Sequence, residues 1–315
     1  MADVKKIATR ESYGNAVVEL GNEHDDFIVL DADLAAATKT GTFKKAFPDR
    51  FYDCGIAEQN LIGIAAGIAA TGKKVFASSF AMFAAGRAFE QVRNSIGYPH
   101  LNVVIAATHA GISVGEDGAT HQCLEDIALM RTIPGMVVLN PADAVEAKAV
   151  VEAAINHNGP VYMRFGRLAV ETIFDKENFK FEIGKGQKLT DGKDVAIIAT
   201  GLATSIALEA VKLLENEGIK ARLINMASIK PVDADIIAEA AKDCGAILTV
   251  EEHNVIGGLG SAVAEVVCEK KPCPVIRHGV YDTFGKSGKA TELLVDFDFT
   301  AEAIAAKAKE AIVLK

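Results

Sequence analysis

The chain has no tryptophan, no Walker A loop, no HExxH and no GxSxG. Phosphate binding of the P-loop kind, zinc-protease chemistry and nucleophile-elbow hydrolysis therefore lack their usual carriers. Cysteine is scarce and odd in number, with Cys54, Cys123, Cys244, Cys268 and Cys273 too scattered for a CxxC metal site. Cys268 and Cys273 are near neighbours in sequence, but buried or neutral thiols are the simpler reading, and reduced thiols suit a cytoplasmic protein. No apolar run approaches the roughly 18 residues of a membrane span, and the start MADVKKIATRES has no apolar signal core. Basic residues fall short of acidic ones, 33 against 42, for a net charge of -9. That excess argues against electrostatic binding to nucleic acid or to an anionic membrane.

What is present is small and apolar. Half of the 315 residues are hydrophobic, enough for two domains, each with its own core. Short β-branched runs alternate with longer amphipathic stretches. Strands are expected at 27–30, 74–78, 102–107, 136–139 and 161–164, and helices at 10–23, 57–70, 83–96, 121–131 and 142–156. Asn140-Pro-Ala-Asp143 and Thr120 supply helix-start signals. This alternation implies βαβ units and a mostly parallel sheet. Residues 171–194 break the rhythm and read as a crossing linker with a short hairpin. A second cycle follows: strands at 194–200, 221–225, 246–251 and 274–277, and helices at 203–217, 233–243, 259–270 and 300–313. The expectation is α/β in two domains, 1–180 and 190–315, each a mostly parallel sheet flanked by helices.

The candidate chemistry lies in loops that would leave the carboxyl ends of parallel strands, where open α/β sheets bind ligands. Glu58, in Gly55-Ile-Ala-Glu-Gln-Asn60, opens a helix of small residues. A first-turn acid favoured by the helix dipole is the plain reading. A partly buried carboxyl able to exchange a proton with a cofactor ring nitrogen is the functional one. Asp117 and His121 stand four apart in Gly111–His121, with His109 just before. A tight turn and a cap would explain the first two. The nearby second imidazole favours contact with a substrate hydroxyl or a proton shuttle. Phe80 and Phe83 are core residues by spacing alone, or a wall on which a flat ring stacks. Arg10, Arg164 and Arg167 are candidate anion contacts. Gly257-Gly258-Leu-Gly260 reads as a tight strand-to-helix turn, since Val263 stands where a dinucleotide loop has its third glycine.

In their order and spacing these residues resemble transketolase, specifically the C-terminal half of its chain. The markers are Asp31-Ala-Asp-Leu34, Gly55–Asn60, Ser79-Phe-Ala-Met-Phe83, Thr108-His109, Gly115-Glu-Asp-Gly-Ala-Thr-His-Gln122, Phe165-Gly-Arg167 and Glu251–Gly260. They run almost from Arg10 to the C-terminus, and the family's diphosphate-binding domain, with its GDG-to-Asn metal motif, has no counterpart. The chain thus resembles the separately encoded C-terminal section of a split transketolase. The resemblance implies a pyrimidine-binding domain followed by a transketolase C-terminal domain, and thiamine diphosphate as cofactor. In the family the glutamate matching Glu58 bonds the pyrimidine N1′. Phe80 and Phe83 match the aromatic wall of that pocket, and Asp33 and Leu34 the loop against the cofactor. Asp117 and His121 match contacts to substrate hydroxyls, and Glu58, Asp117 and His121 are the catalytic set. Arg10, His109 and Arg167 match contacts to a sugar phosphate, with Arg164 as a neighbour. Two departures touch substrate preference. Ala37 replaces a serine that joins the phosphate contacts, with Thr38 as a substitute. Gly86 stands near the place of a pocket tyrosine, with Phe89 as a substitute.

The resemblance further implies no metal on this chain, a divalent metal such as Mg2+ on an N-terminal partner subunit, and two copies of each pairing as α2β2. The chain alone would be inactive, and its C-terminal domain would contribute mainly to assembly. Other readings stay open: the C-terminal part of a 1-deoxyxylulose-5-phosphate synthase, which the Arg164-to-Arg167 spacing and Arg87-Ala-Phe-Glu-Gln-Val92 also resemble; a 2-oxo acid dehydrogenase β subunit; a non-catalytic scaffold; and a nucleotide-binding module built on Gly257–Gly260.

Overall fold

A computed structural model describes residues 6–315; Met1 to Lys5, the beginning of the supposed leaderless start, lie outside it. The β-branched runs form two sheets. The larger runs in the order Ser228–Lys230, Val137–Leu139, Val161–Arg164, Val103–Thr108, Lys74–Phe80, Phe27–Asp31, Phe51–Asp53, and all of its pairings are parallel except at the first strand. The smaller runs Val275–Val280, Ile247–Asn254, Val195–Ala199, Ala221–Asn225, Gln187–Thr190, with only the last strand antiparallel. Central strands such as Val103–Thr108 and Val195–Ala199 are buried along their whole length, as sheets covered by helices on both faces require. The fold is two α/β domains with mostly parallel sheets, as expected.

The sequence pattern misplaced several elements. Residues 83–96 are not one α-helix: Met82–Arg87 and Val92–Gly97 are π-helical, with an α-helical turn at Phe89–Gln91 between them. Wide turns of this kind are concentrated at functional sites, and a 3.6-residue period cannot reveal them. The helix expected over 121–131 begins only at Asp126. The preceding residues serve the loop instead: the Gly118 carbonyl accepts both the His121 and Gln122 amides. The Thr120 hydroxyl pairs with His121 Nδ1 at 3.0 Å and caps nothing. The linker holds no hairpin. Ala169–Glu171 pairs with Lys6–Ala8, while Gln187–Thr190 pairs with Ala221–Asn225. Short elements too brief to show a period were missed, among them Ala35–Thr38, Gly41–Ala46 and Ala290–Asp296.

The two halves are sewn together. Ser228–Lys230, from the second half, extends the first sheet beside Val137–Leu139. Asn225 Nδ2 donates to the fully buried Glu146 at 2.7 Å. Asp143, 0% exposed, caps the helix Ala144–Asn156 through the Glu146 amide at 2.8 Å. Its other oxygen accepts the amides of Ile173 and Phe174 at 2.7 and 2.9 Å and so pins the linker. Loss of an ordinary cap costs about 1 kcal/mol, whereas Asp143→Ala also strands two linker donors. We expect a loss of about 2–4 kcal/mol in urea unfolding; a loss of only a few tenths would show that the linker is held elsewhere.

Candidate active site

Apart from Arg10, which stands at the start of the helix Thr9–Glu23, the candidate groups lie at or just beyond the carboxyl ends of strands in the larger sheet. Asp31, at the end of its strand, organises the first loop. Its carboxylate accepts the Leu34 amide at 2.6 Å and the hydroxyls of Thr38 and Thr40 at 2.7 and 2.8 Å. Burial raises the Asp31 pKa, and these three donors oppose the rise. Thr38 is fully buried in this network and does not stand in for the serine replaced by Ala37. Asp53 Oδ1 accepts the amides of Asp33 and Gly55 at 3.0 and 2.9 Å. It thereby ties the Asp33–Leu34 loop to the loop that leads into Glu58.

Glu58 opens the helix Glu58–Ala69 and is 2% exposed. Its carboxylate accepts Arg87 Nη1 at 2.7 Å, while Ser79 Oγ lies 3.4 Å from the other oxygen. Arg87 reaches it from the wide π turn, with its guanidinium carbon 4.6 Å from the centre of the Phe83 ring, a cation–π contact. Sequence reading gave Arg87 no role here. Only the missing pocket tyrosine signalled that something else borders this wall. Phe89, the proposed substitute, is partly buried against the hydrophobic core that includes Leu61, Ala85 and Val92.

The ring-bearing side chains converge beside Glu58. Phe80 and Phe83 stack with centroids 6.2 Å apart. The His109 ring lies 3.9 Å from Phe80, and His121 stands edge-on to Phe83 at 5.2 Å. His109 takes a positive φ of 58°, which turns its ring inward, where it is 3% exposed. Its Nε2 lies 3.0 Å from Arg10 Nη1 and its Nδ1 2.9 Å from Thr108 Oγ1. A guanidinium only donates, so Nε2 is the acceptor and the ring proton is on Nδ1. Burial, and then the charges of Arg10 and Arg167, push the His109 pKa down to about 3. Arg10 also donates to the Ala37 carbonyl at 2.9 Å, and its buried Nε has no hydrogen-bond partner.

Asp117 and Arg167 face each other across the loop, 3.8 Å apart, and Arg167 also meets Glu116 at 3.1 Å and the Val114 carbonyl. Arg164 points the other way. It is 3% exposed and bonds Asp126, the Cys123 carbonyl and the Glu252 carbonyl, so it is a bridge inside the protein and no anion contact. The amides of Leu259 and Gly260, in the first turn of the helix Leu259–Lys270 that follows Gly257-Gly258, are taken by Glu251 at 2.6 and 2.7 Å, which leaves no phosphate cradle there. An open cleft of about 540 Å3 borders the site, lined by Met82, Phe83, Arg87, Thr120 and, from the second domain, Phe284. Among the described residues no group of three or more His, Cys, Asp or Glu side chains is arranged to hold a metal ion, and no helix is long and apolar enough to cross a membrane.

Comparison with known families decides the lineage. The transketolase pyrimidine-binding domain matches residues 5–172, and the transketolase C-terminal domain matches residues 184–304. The chain belongs to the transketolase family. A Methanocaldococcus jannaschii chain described as a transketolase C-terminal section is 51% identical, over 96% of this chain and 95% of that one. One of the subunits of the apulose-4-phosphate transketolase of Phocaeicola vulgatus is 40% identical, over 96% of this chain and 97% of its own length. Human transketolase is 38% identical over 95% of this chain, which spans only 48% of the human protein. Among solved structures, a split-gene transketolase described as an inactive β4 tetramer superposes with a TM-score of 0.92 at 55% identity, covering 98% of this chain and 99% of that one. The chain is thus the C-terminal section of a transketolase-type protein, homologous to a split-gene transketolase.

The geometry around His109 makes a pH prediction. An ordinary imidazole titrates near 6.5. His109 should stay neutral, so its imidazole NMR signals should not move between pH 5 and 8. Because its folded pKa lies below the ordinary one, any effect on stability appears only as a loss when the pH falls below about 6.5. A titration midpoint near 6.5 would contradict both the burial and the assigned tautomer.

Proposed function

We propose that this chain is the C-terminal subunit of a thiamine-diphosphate-dependent transketolase of pentose phosphate metabolism. It would move a two-carbon ketol unit from a ketose phosphate to an aldose phosphate, and act only with an N-terminal partner subunit. The observation that carries this reading is the buried Glu58 carboxylate set against the Phe80–Phe83 wall. A carboxylate that can bond a ring nitrogen, next to faces on which a ring can stack, is a donor set that fits an aminopyrimidine. When bound, the cofactor supplies the electron sink for breaking a carbon–carbon bond beside a carbonyl.

The chain's own residues hold and orient. Glu58 would hold the proton at the pyrimidine ring nitrogen, and Asp33 and Leu34 would lie against the cofactor. Arg87, which now neutralises Glu58, must share or yield that carboxylate when the ring arrives. Asp117 and His121 bond substrate hydroxyls, and His121 moves a proton at the reacting oxygen. Arg10, His109 and Arg167 receive the sugar phosphate, with the unpartnered Arg10 Nε as a spare donor. A divalent metal such as Mg2+ and the diphosphate would belong to the partner chain. The partnership is proposed as cytoplasmic and α2β2. The inactivity of the similar β4 assembly supports dependence on a partner.

The test is ketol transfer from xylulose 5-phosphate to ribose 5-phosphate, with this chain alone and mixed with an N-terminal subunit, thiamine diphosphate and Mg2+. Activity only in the mixture is expected, and turnover by the single chain would refute the divided site. A second reading has support in a Geobacter sulfurreducens 1-deoxy-D-xylulose-5-phosphate synthase, 37% identical over 93% of this chain. Activity with pyruvate, and none with the ketose, would establish that reading.

Glu58→Gln should lower the mixture's kcat by about 100-fold or more while stability changes by less than about 1 kcal/mol, because the Arg87 left without its carboxylate is 48% exposed and water can solvate its charge. Retained activity would remove Glu58 from the mechanism.

A further inference from the structure

The second domain supplies none of the candidate groups, yet it moulds the loop that carries Asp117. Gly111 opens this loop with φ +82°, and a Cβ there would lie only 2.5 and 2.7 Å from the two carboxylate oxygens of Glu252. Glycine is required because Glu252 fills the space. Two residues on, the Ser113 amide donates to Glu252 Oε1 at 2.6 Å. At the far end of the loop Gly118, with φ +75°, would overlap Ser287 Oγ if it carried a Cβ. Past that turn, Gln122 Nε2 donates to the Lys286 carbonyl at 2.9 Å. Both ends of the loop are therefore cast against the second domain.

Glu252 is an unfavourable side chain to keep there. It is 4% exposed, and burial raises its pKa against the pull of Arg164 and the Ser113 bond. Arg164 bonds the Glu252 backbone carbonyl, which fixes where this strand end stands. An apolar side chain would fill the same volume without desolvating a charge, so packing alone does not account for a carboxylate.

We propose that Glu252 is a positioning residue for the transfer reaction: by holding the Ser113 amide beneath Gly111 it sets the loop from which Asp117 and His121 face the substrate. The inference rests on the transketolase reading and extends it, since the C-terminal domain then acts on chemistry as well as on assembly.

The test compares Glu252→Gln, which keeps an oxygen acceptor for Ser113, with Glu252→Leu, which does not. In the assembled two-subunit enzyme the Leu variant should lose on the order of 10- to 100-fold in kcat. Calorimetric affinity for thiamine diphosphate should stay unchanged, and the Gln variant should recover most of the rate. In the isolated chain, hydrogen exchange at Ser113 and its neighbours should quicken in the Leu variant and not in the Gln variant. Wild-type kcat in the Leu variant overturns the proposal, as does unchanged exchange. A parallel loss of cofactor affinity in both variants also overturns it, by making the role structural. If the unsubstituted enzyme performs no ketol transfer, the transketolase reading has failed, while the exchange result still decides whether Glu252 holds the loop. Should the Leu variant not fold, Glu252→Asp, whose shorter arm withdraws the carboxylate from Ser113, is read by the same measurements.

Discussion

Arg164 is the group on which the two domains meet. Its Nε donates to Asp126 at 2.8 Å, and its Nη2 to the Glu252 carbonyl at 2.9 Å and the Cys123 carbonyl at 3.3 Å. Tyr162 adds a hydroxyl to the same Asp126 oxygen at 2.8 Å. One guanidinium thus joins the end of a first-domain strand, the start of the helix Asp126–Arg131, and the second-domain strand Ile247–Asn254. Taking one member from such a buried set leaves an uncompensated charge, at a cost of about 3–5 kcal/mol. Its position fixes Glu252, and Glu252 abuts the loop of Asp117, so the geometry of the candidate site depends on a charge that never faces it.

The chain carries a net charge of -9, and on the open side Arg87 is paired with Glu58 and Arg167 with Glu116 and Asp117. Arg10 instead meets His109 and the Ala37 carbonyl, so its charge is the one most open to an anionic ligand. His109, held neutral among these arginines, adds a hydrogen-bonding edge without further charge. The groups that would face a ligand are half open: Arg87 is 48% exposed and Asp117 42%. In the proposed assembly a second chain completes and dries this face, which strengthens every interaction within it.

Much of this was legible in the sequence, and the exceptions have physical causes. Strands such as Val103–Thr108 and Val195–Ala199 are continuous apolar runs, and Asp143 announced its helix as a cap. The residues that gather about Phe80, Phe83, His109 and His121 were legible through motif order and through their places after strands. The π turns over Met82–Gly97 were not, because a widened turn changes the period that identifies a helix. Gln122 looked helical but gives its side-chain amide to the Ile112 and Lys286 carbonyls. Thr38 reads as a substitute for the serine missing at Ala37, yet its hydroxyl belongs to Asp31, seven positions earlier. Glu252 and Arg87 act across 139 and 29 residues of sequence, where no local pattern can reach.

The central claim is that this chain presents half of a divided cofactor site, with Glu58 as its polar centre. The most direct measurement is a structure of the chain assembled with an N-terminal subunit, thiamine diphosphate and Mg2+. The account predicts the aminopyrimidine against Phe80 and Phe83, its ring nitrogen within hydrogen-bond distance of Glu58, and Arg87 displaced from at least one carboxylate oxygen. A ring bound elsewhere, or Glu58 still fully paired with Arg87 beneath a bound cofactor, would contradict it.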